Sequence, residues 1–340
     1  MAEWPHKAAV LVTGAAGFIG SHLARRLVDG GAAVRVLSRD GLTRISDATV
    51  VVGDVTLPES LASAAVGCEV IFHCAALGGG TLSDAREVNV VGTRNVLEAA
   101  VQAGVRRVVH LSSVAVHGSQ LPARVDESQP LVSNGAAYSL SKAEGEAVAR
   151  DYHAGGLLQV VVVRPTCVYG PGSLTWVLAP FTRVRDEGIL LVDGGRGLIN
   201  LVYVDDLVDL LLASAWHPRA AGNVFVANGQ TITWAQYLGA FALMLGKPLP
   251  AIVSLRQAEV LEAAYLWRYR FTRRPGRIVS GDIQLQTNRS VFAADAARDI
   301  LGFSAGVALD DGMRRTAAWL RTTGYLPAPR YTSAMRPSAA

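Results

Sequence analysis

A glycine-rich turn between an apolar run and a helical pattern constrains this chain more than any other feature. Residues 8–12 are apolar and rich in valine, as in a buried strand, and lead into TGAAGFIG at residues 13–20. Apolar residues then recur at helical spacing as far as Val28. Glycines let the backbone approach a diphosphate, whose charge the N–H groups of a helix start can bind. The predicted dinucleotide-binding residues of this turn are Gly14, Gly17, Phe18, Ile19 and Gly20.

Length and composition indicate a compact globular protein. The 340 residues allow one large or two modest domains, and half of them are hydrophobic while only 18% are charged. The net charge of +4, carried by scattered basic residues, gives no basis for nucleic acid binding. Cys68, Cys74 and Cys167 form no CxxC pair, so we expect reduced thiols and no metal framework.

The sequence shows no membrane or export signal. No apolar run approaches the roughly 18 residues that a membrane span requires. The first strand pattern begins at residue 8, which leaves no room for a signal peptide. We therefore expect a cytoplasmic protein with no integral membrane segment, acting on a small-molecule substrate.

Strand and helix patterns alternate through the first half of the chain. Further strands are predicted at residues 33–37, 49–53, 69–73, 107–112 and 159–164, and the longest helical patterns lie at 86–103 and 137–153. Apolar runs separated by helices are typical of an α/β fold, with a doubly wound parallel sheet of the Rossmann type that binds ligands at its carboxyl edge.

The second half has shorter patterns, including a predicted strand at 223–226, and is interpreted as a smaller C-terminal α/β substrate-binding region. We assign residues 1–165 to a dinucleotide-binding domain and 166–325 mainly to the substrate-binding region, some of whose segments can return to the sheet. Residues 326–340, rich in proline and small polar residues, are predicted to be a disordered tail.

The sequence YSLSK at residues 138–142 carries the strongest catalytic signal. Helix positions i and i+4 share a face, so the Tyr138 phenol and the Lys142 ammonium project together, and a nearby cation favours phenolate. Ser113 follows a predicted strand, precedes Tyr138 by 25 residues, and can hydrogen-bond a reacting oxygen. The predicted catalytic residues are therefore Ser113, Tyr138 and Lys142, against the alternatives of a surface Tyr–Lys pair and a strand-end serine cap.

The end of the second predicted strand bears on the choice of cofactor. An acidic residue there would bind the ribose hydroxyls and favour NAD. Ser38 and Arg39 instead suit a 2′-phosphate, to which a guanidinium can donate paired hydrogen bonds. We predict NADP(H) in preference to NAD(H), although Asp40 would reach the ribose if the register slipped by one residue.

Several motifs occur in an order that resembles the extended short-chain dehydrogenase/reductase family, also called the NAD-dependent epimerase/dehydratase family. The resemblance runs from about residue 8 to 322. The motifs are TGAAGFIG at 13–20, DV at 54–55, HCAA at 73–76, NxxGTxN at 89–95, SS at 112–113, YSLSK at 138–142 and RPTCVYGP at 164–171.

The resemblance implies a role for each of these positions. It makes Ser113, Tyr138 and Lys142 a catalytic triad, with Lys142 also holding the nicotinamide ribose. It further implies a homodimer formed through the helices at 84–103 and 137–153. The other implied positions are Asp54 and Val55 beside the adenine, Ala75 and Pro165 in the cofactor site, and Asn89 in a structural or cofactor-adjacent role.

Departures from the family pattern favour its reductase branch. Val114 and Ala115 stand where dehydratases carry an Asp-Glu pair, and Cys167 where nucleotide-sugar enzymes usually carry asparagine. The chain is more similar to 3β-hydroxysteroid dehydrogenases and dihydroflavonol reductases, which implies interconversion of a ketone and a secondary alcohol. His117 stands where the family often has tyrosine, and Tyr203 stands where it often has histidine. Each replacement either shapes the substrate pocket or is a packing substitution.

Two other functions are left open. A nucleotide-sugar epimerase would use the same triad and return the hydride to substrate from tightly bound NAD. A non-catalytic cofactor-sensing protein is disfavoured by the intact YSLSK.

Residues 265–277, YLWRYRFTRRPGR, interleave five arginines with aromatic residues. This stretch is open to several interpretations: a solvated lid or helix end whose aromatics pack inward, a site for an acidic substrate, or a contact with nucleic acid or an anionic membrane surface.

Overall fold

The computed structural model describes residues 7–43, 45–132, 134–186, 188–272 and 281–327, with the backbone alone for 268–272. Most of the predicted tail, from residue 328 onward, lies outside the described residues, as do residues 273–277 of the arginine-aromatic stretch.

The strands of the described chain form one large sheet and three small ones. In chain order they are β1 (Ala9–Thr13), β2 (Ala33–Ser38), β3 (Thr49–Val52), β4 (Val70–His73), β5 (Arg107–Leu111), β6 (Arg124–Val125), β7 (Gln159–Pro165), β8 (Cys167–Tyr169), β9 (Leu191–Val192), β10 (Leu198–Tyr203), β11 (Val224–Ala227), β12 (Gln230–Thr233), β13 (Ile252–Val253) and β14 (Val291–Phe292).

The α-helices connect these strands and cover the large sheet. In chain order they are α1 (Phe18–Asp29), α2 (Pro58–Ala65), α3 (Leu82–Arg86), α4 (Gly92–Gln102), α5 (Ala137–Ala154), α6 (Ala179–Arg185), α7 (Val204–Trp216), α8 (Trp234–Leu245), α9 (Leu255–Thr272), α10 (Asp282–Thr287), α11 (Asp295–Leu301) and α12 (Leu309–Thr322).

The large sheet is parallel throughout and has the strand order β11-β7-β5-β4-β1-β2-β3. The predicted doubly wound sheet is confirmed. Its connections run in opposite directions on the two sides of β1, and ligands bind at such a switch point, beyond the carboxyl ends of the strands. The glycine turn after β1 lies at this point, beside the segment that follows β4.

Alternate residues of the strands enter two different cores. Val10 and Val12 of β1 belong to one apolar cluster, while Leu11 between them belongs to the other. Phe72 and Ile71 of β4 divide in the same way. Burial on both faces explains why the strands appear in the sequence as continuous apolar runs.

The edge strand β11 comes from the second half of the chain. Val224 pairs with Val162 of β7, and Phe225 with Val163. The sequence predicted a strand here without specifying its partner. Phe225 is fully buried in the first core, so packing against the sheet explains why this segment joins it.

The helical pattern predicted at 86–103 is divided in the structure. It starts earlier, as α3, passes through one π-helical turn at Glu87–Val91, and continues as α4. Gly145 of α5 packs against this turn so closely that a Cβ there would lie 2.1 Å from the Asn89 carbonyl oxygen. The wide turn and the glycine thus bring α5, which carries Tyr138 and Lys142, close to the helical segment that follows β4.

Candidate active site

The glycine turn has the shape that the sequence predicted. Gly14 has a φ of +72°, and a Cβ on it would lie 2.6 Å from the Ala75 amide nitrogen. A Cβ on Gly20 would lie 2.3 Å from the Gly14 carbonyl oxygen. Gly17 is the N-cap of α1 and has no side chain to cover the helix start. The free N–H groups at the start of α1 can therefore bind a diphosphate. Phe18 and Ile19 lie in the first turn of that helix.

A buried histidine ties the glycine turn to the next strand. Thr13 Oγ1 accepts a hydrogen bond from the Ala75 amide at 3.3 Å and lies 2.8 Å from His73 Nδ1. The other ring nitrogen of His73 bonds to Thr93 Oγ1 at 3.0 Å. Burial lowers the pKa of His73 to about 3, so the ring is neutral near pH 7. These bonds place Ala75 directly beside Gly14.

Hydrogen bonds within the loop that follows β2 hold the side chains at the end of this strand. Ser38 is buried and donates to Asp40 Oδ1 at 3.0 Å, and the Leu42 amide donates to the same oxygen at 2.9 Å. These bonds hold the pKa of Asp40 below its usual value, with the Leu42 amide as the larger cause. Arg39, between them, is exposed. The Asp40 carboxylate therefore already has two donors within its loop.

The predicted adenine-side residues lie after β3. Asp54 Oδ1 accepts from the amide and the hydroxyl of Thr56, at 2.9 and 3.0 Å. Val55 is buried, and its carbonyl oxygen accepts from Asn95 Nδ2 at 2.9 Å. Both residues belong to the turn that follows β3, at the same edge of the sheet as the glycines.

The structure brings the predicted triad to the carboxyl end of β5. Tyr138 lies in the first turn of α5, where the Ser113 hydroxyl is near enough to the phenol to lower its pKa. Lys142 is one turn further along, buried, and its Nζ donates to the Leu111 carbonyl oxygen at 2.6 Å. Ser113 Oγ also accepts from the Ala115 amide at 3.1 Å, which fixes its direction.

The electrostatics of this group differ from the expectation. Burial raises the pKa of Tyr138, and the Ser113 hydrogen bond opposes that shift only in part. Burial also lowers the pKa of Lys142 to about 8, against the charges of Glu146 and Cys74. The phenol is therefore protonated near pH 7, which suits proton donation to a substrate oxygen better than proton removal.

Behind the triad lies a buried ion pair that the sequence analysis missed. Glu146, one turn after Lys142 on α5, accepts from Ser112 Oγ at 2.7 Å and from Arg164 Nε at 2.9 Å. Arg164 Nη1 donates to the Glu127 carbonyl oxygen at 3.0 Å and lies 3.3 Å from His117 Nε2. Glu146 could have been found from the sequence, because it lies four residues after Lys142 and therefore on the same face of the helix.

Asn89 binds the segment after β4 to α5. Its Oδ1 accepts from the Leu77 amide at 2.7 Å, while its Nδ2 donates to the Leu77 carbonyl at 3.0 Å and to Ser141 Oγ at 2.9 Å. The side chain is thus bonded within the protein at both of its polar atoms.

The remaining predicted positions lie at the end of β7 and beyond. Pro165 is the buried last residue of β7. Cys167, which begins β8, has a pKa raised by burial and is a neutral thiol near pH 7. Tyr203 packs edge-on against Tyr169, with ring centroids 5.3 Å apart, and His117 is buried beside Arg164. Both replacements that the sequence singled out are therefore in packing contacts.

Comparison with known proteins agrees with this arrangement. The model of the NAD dependent epimerase/dehydratase family matches residues 10–227. A ceramide reductase of Caulobacter vibrioides is 30% identical over 338 residues, 94% of this chain and 96% of the relative. A UDP-glucose 4-epimerase of Vibrio cholerae is 31% identical over 258 residues, 70% of this chain and 76% of the relative. The solved structure of MoeE5 in complex with UDP-glucose and NAD has a TM-score of 0.74 at 28% identity, covering 93% of this chain and 99% of that one.

Proposed function

This chain belongs to the NAD-dependent epimerase/dehydratase family, and we propose that within it the protein is an NADP(H)-dependent oxidoreductase that interconverts a ketone and a secondary alcohol. Membership makes it an enzyme of the short-chain dehydrogenase/reductase type that binds a nicotinamide dinucleotide. The proposal adds the reaction, the residues and the preferred cofactor.

The observation that carries the proposal is the contact of Tyr138 with Ser113 at the end of β5. When bound, the reduced nicotinamide supplies hydride to the carbonyl carbon of the substrate. Tyr138, held as a phenol by burial, donates its proton to the carbonyl oxygen, and Ser113 donates a hydrogen bond to the same oxygen. Lys142, whose Nζ donates to the Leu111 carbonyl oxygen, contributes a buried cation one helical turn from Tyr138 and a donor for the ribose.

The cradle for the cofactor fits a dinucleotide, because Gly14 and Gly20 leave no room for a Cβ and α1 begins without a side-chain cap. A preference for NADP(H) is supported by the end of β2. The Asp40 carboxylate accepts from Ser38 and Leu42, so it is less available to ribose hydroxyls. The exposed Arg39 can donate two parallel hydrogen bonds to a 2′-phosphate.

Reduction of a ketone is favoured over sugar epimerisation by the side chains near the triad. Val114 and Ala115 follow Ser113 and cannot act as an acid or a base, which argues against dehydration but not against epimerisation. Cys167 is a neutral thiol, a weak donor for a nucleotide diphosphate. The ceramide reductase also matches almost the whole of both chains, whereas the epimerase matches about 70% of this one.

The 31% identity to a UDP-glucose 4-epimerase keeps that activity as the second candidate. A single assay separates the two, in which the purified protein is mixed with NADPH and either ketones bearing long alkyl chains or UDP-glucose. A reductase oxidises NADPH in proportion to alcohol formed. If the protein interconverts UDP-sugars with no net change in nicotinamide absorbance, the reductase proposal is wrong.

We also propose a homodimer that pairs through α4 and α5, which lie side by side. Light scattering should then give twice the chain mass of 35.9 kDa. The cytoplasmic location stays a prediction from the sequence.

A further inference from the structure

The turn that follows β8 is packed against the first helix of the chain. Residues 170–173, with the sequence GPGS, lead from β8 toward α6, and we call them the 170–173 turn. Gly170 has a φ of +133° and Gly172 a φ of +95°, so both positions favour glycine. The Ser173 amide donates to the Gly170 carbonyl oxygen at 3.1 Å, which closes the turn.

Both ends of the 170–173 turn are fixed by contacts. Ser173 is buried, its Oγ donates to the Val168 carbonyl oxygen at 3.0 Å, and the same Oγ accepts from the Trp176 amide at 3.3 Å. At the other end, a Cβ on Gly170 would lie 2.9 Å from Val204 Cγ1, so the start of α7 packs directly on it. These contacts hold the turn in one shape.

Two side chains of α1 contact the middle of this turn. His22 Nε2 lies 2.9 Å from the Pro171 carbonyl oxygen, and because that oxygen can only accept, Nε2 carries the proton and donates. A Cβ on Gly172 would lie 3.3 Å from Phe18 Cδ2, so the turn backbone meets the Phe18 ring directly. The rings of Phe18 and His22 pack edge to face, with centroids 5.4 Å apart. The two side chains therefore make one continuous contact with the turn.

The same end of α1 is where the diphosphate of the cofactor is expected. Phe18 is the first residue of the helix, and Gly17 before it leaves the N–H groups of the first helical turn without a side-chain cap. The 170–173 turn thus contacts the side chain of a residue whose backbone belongs to the diphosphate cradle. A movement of the turn away from Phe18 would open this end of the cofactor site.

We propose that His22 is a positioning residue, which holds the 170–173 turn on the start of α1 and thereby slows the release of the bound dinucleotide. The proposal rests on the placement of the diphosphate at the glycine turn. The hydrogen bond that His22 donates has to break before the turn can move off Phe18, so it adds to the barrier for release. Association should change little, because most differences of affinity between related complexes arise in the rate of dissociation.

The proposal is tested by the rate at which NADPH leaves the full-length protein, followed by stopped-flow fluorescence after addition of excess NADP⁺. His22→Leu removes the donor but keeps a side chain of similar size, and release should become about three- to tenfold faster. His22→Gln keeps an N–H donor for the Pro171 carbonyl oxygen, so release should stay within about twofold of wild type. If NADH binds more tightly than NADPH, the same measurement is made with NADH, which carries the same diphosphate.

Two results of this measurement would overturn the proposal. One is a wild-type release rate in His22→Leu, and the other is an equal acceleration in the Leu and Gln variants. Thermal unfolding without cofactor separates positioning from a merely structural role, since loss of one hydrogen bond should lower the melting temperature by no more than about 4 °C. If His22→Leu lowers the melting temperature but leaves the release rate unchanged, His22 is a structural residue only.

Gly172→Ala tests the same contact from the side of the turn. Alanine is strained at a φ of +95°, and its Cβ would meet the Phe18 ring. The turn should therefore shift away from α1 and release should again become faster. Wild-type release from this variant would contradict the proposal, even if His22→Leu did not fold.

The matched control is Arg26, one helical turn after His22 on α1. Arg26 Nη1 lies 2.6 Å from Asp209 Oδ1 of α7, so Arg26→Leu removes a contact of α1 that does not involve the 170–173 turn. NADPH should leave this variant at the wild-type rate. Release as fast as from His22→Leu would show that any loosening of α1 has this effect, and the specific role of His22 would be wrong.

Gly17→Asp distinguishes a failure of the diphosphate placement from a failure of the role of His22. A carboxylate at this N-cap position accepts from the free N–H groups of α1 and repels a diphosphate, so NADPH binding should be lost while the fold is kept. Wild-type binding in Gly17→Asp would overturn the placement and the proposal with it. If Gly17→Asp loses binding but His22→Leu releases NADPH at the wild-type rate, the placement stands and the role of His22 is wrong.

Discussion

The two ends of the predicted cofactor site are built in different ways. At the adenosine end, Ser38, Asp40 and Leu42 bond to one another within five residues of chain, next to the exposed Arg39. At the nicotinamide end, Lys142 is buried and donates to the Leu111 carbonyl oxygen of β5, near the buried ion pair of Glu146 and Arg164. Changes at the adenosine end should therefore alter which cofactor binds, whereas changes at the nicotinamide end should alter catalysis or the fold itself.

Tyr138→Phe should have the largest effect on activity. The variant loses the proton donor but keeps the ring, so we expect kcat for ketone reduction to fall by about a thousandfold. NADPH binding, measured by fluorescence titration, should change little because the glycine turn is untouched. Activity within tenfold of wild type would show that Tyr138 is not the proton donor. The nicotinamide end would then not differ from the adenosine end by its role in catalysis.

Arg164→Met should have the largest effect on stability. It leaves Glu146 charged, buried and without its ion-pair partner, so we expect the free energy of unfolding to fall by about 3–5 kcal/mol. The matched control is the exposed pair of Arg86 and Glu144, where R86M should cost less than about 1 kcal/mol. Denaturant unfolding measures both, and equal losses would show that burial is not what distinguishes the pair.

The pH dependence of ketone reduction should follow the protonation of the Lys142 ammonium. Burial lowers its pKa to about 8, so the ammonium is present below that pH and is lost as pH rises through it. Burial raises the pKa of Tyr138, which therefore stays protonated in the same range. We expect kcat to fall about tenfold per unit above pH 8. A profile that is flat to about pH 10 would show that Lys142 keeps its proton or is not required.

Arg39→Ala should have the smallest overall effect and the most selective one. Loss of a charged hydrogen-bond donor to the 2′-phosphate should lower kcat/KM for NADPH by about ten- to a hundredfold. NADH, which lacks that phosphate, should be used almost as before. Asp40→Asn is the control at the neighbouring position and should alter the ratio little. Equal losses with both cofactors would mean that Arg39 does not select between them.

Much of the site could be predicted because its signals are local. The glycine turn needs only a strand, a tight turn and a helix in order, and the pairing of Tyr138 with Lys142 needs only helical spacing. The order of apolar runs was enough to predict the parallel sheet, which the structure confirms. The pKa direction of Tyr138 was not predictable from spacing, because it depends on burial that distant residues impose.

The parallel sheet, the position of the glycine turn and the family could all be predicted from the sequence. That β11 completes the sheet, and that Ser112, Glu146, Arg164 and His117 form one buried network, became visible only in the folded chain. The bonds of that network join residues 18 to 47 positions apart. Short-range patterns carry the geometry of a turn or a helix face, but the pairing of distant polar groups is set when the chain packs and excludes water.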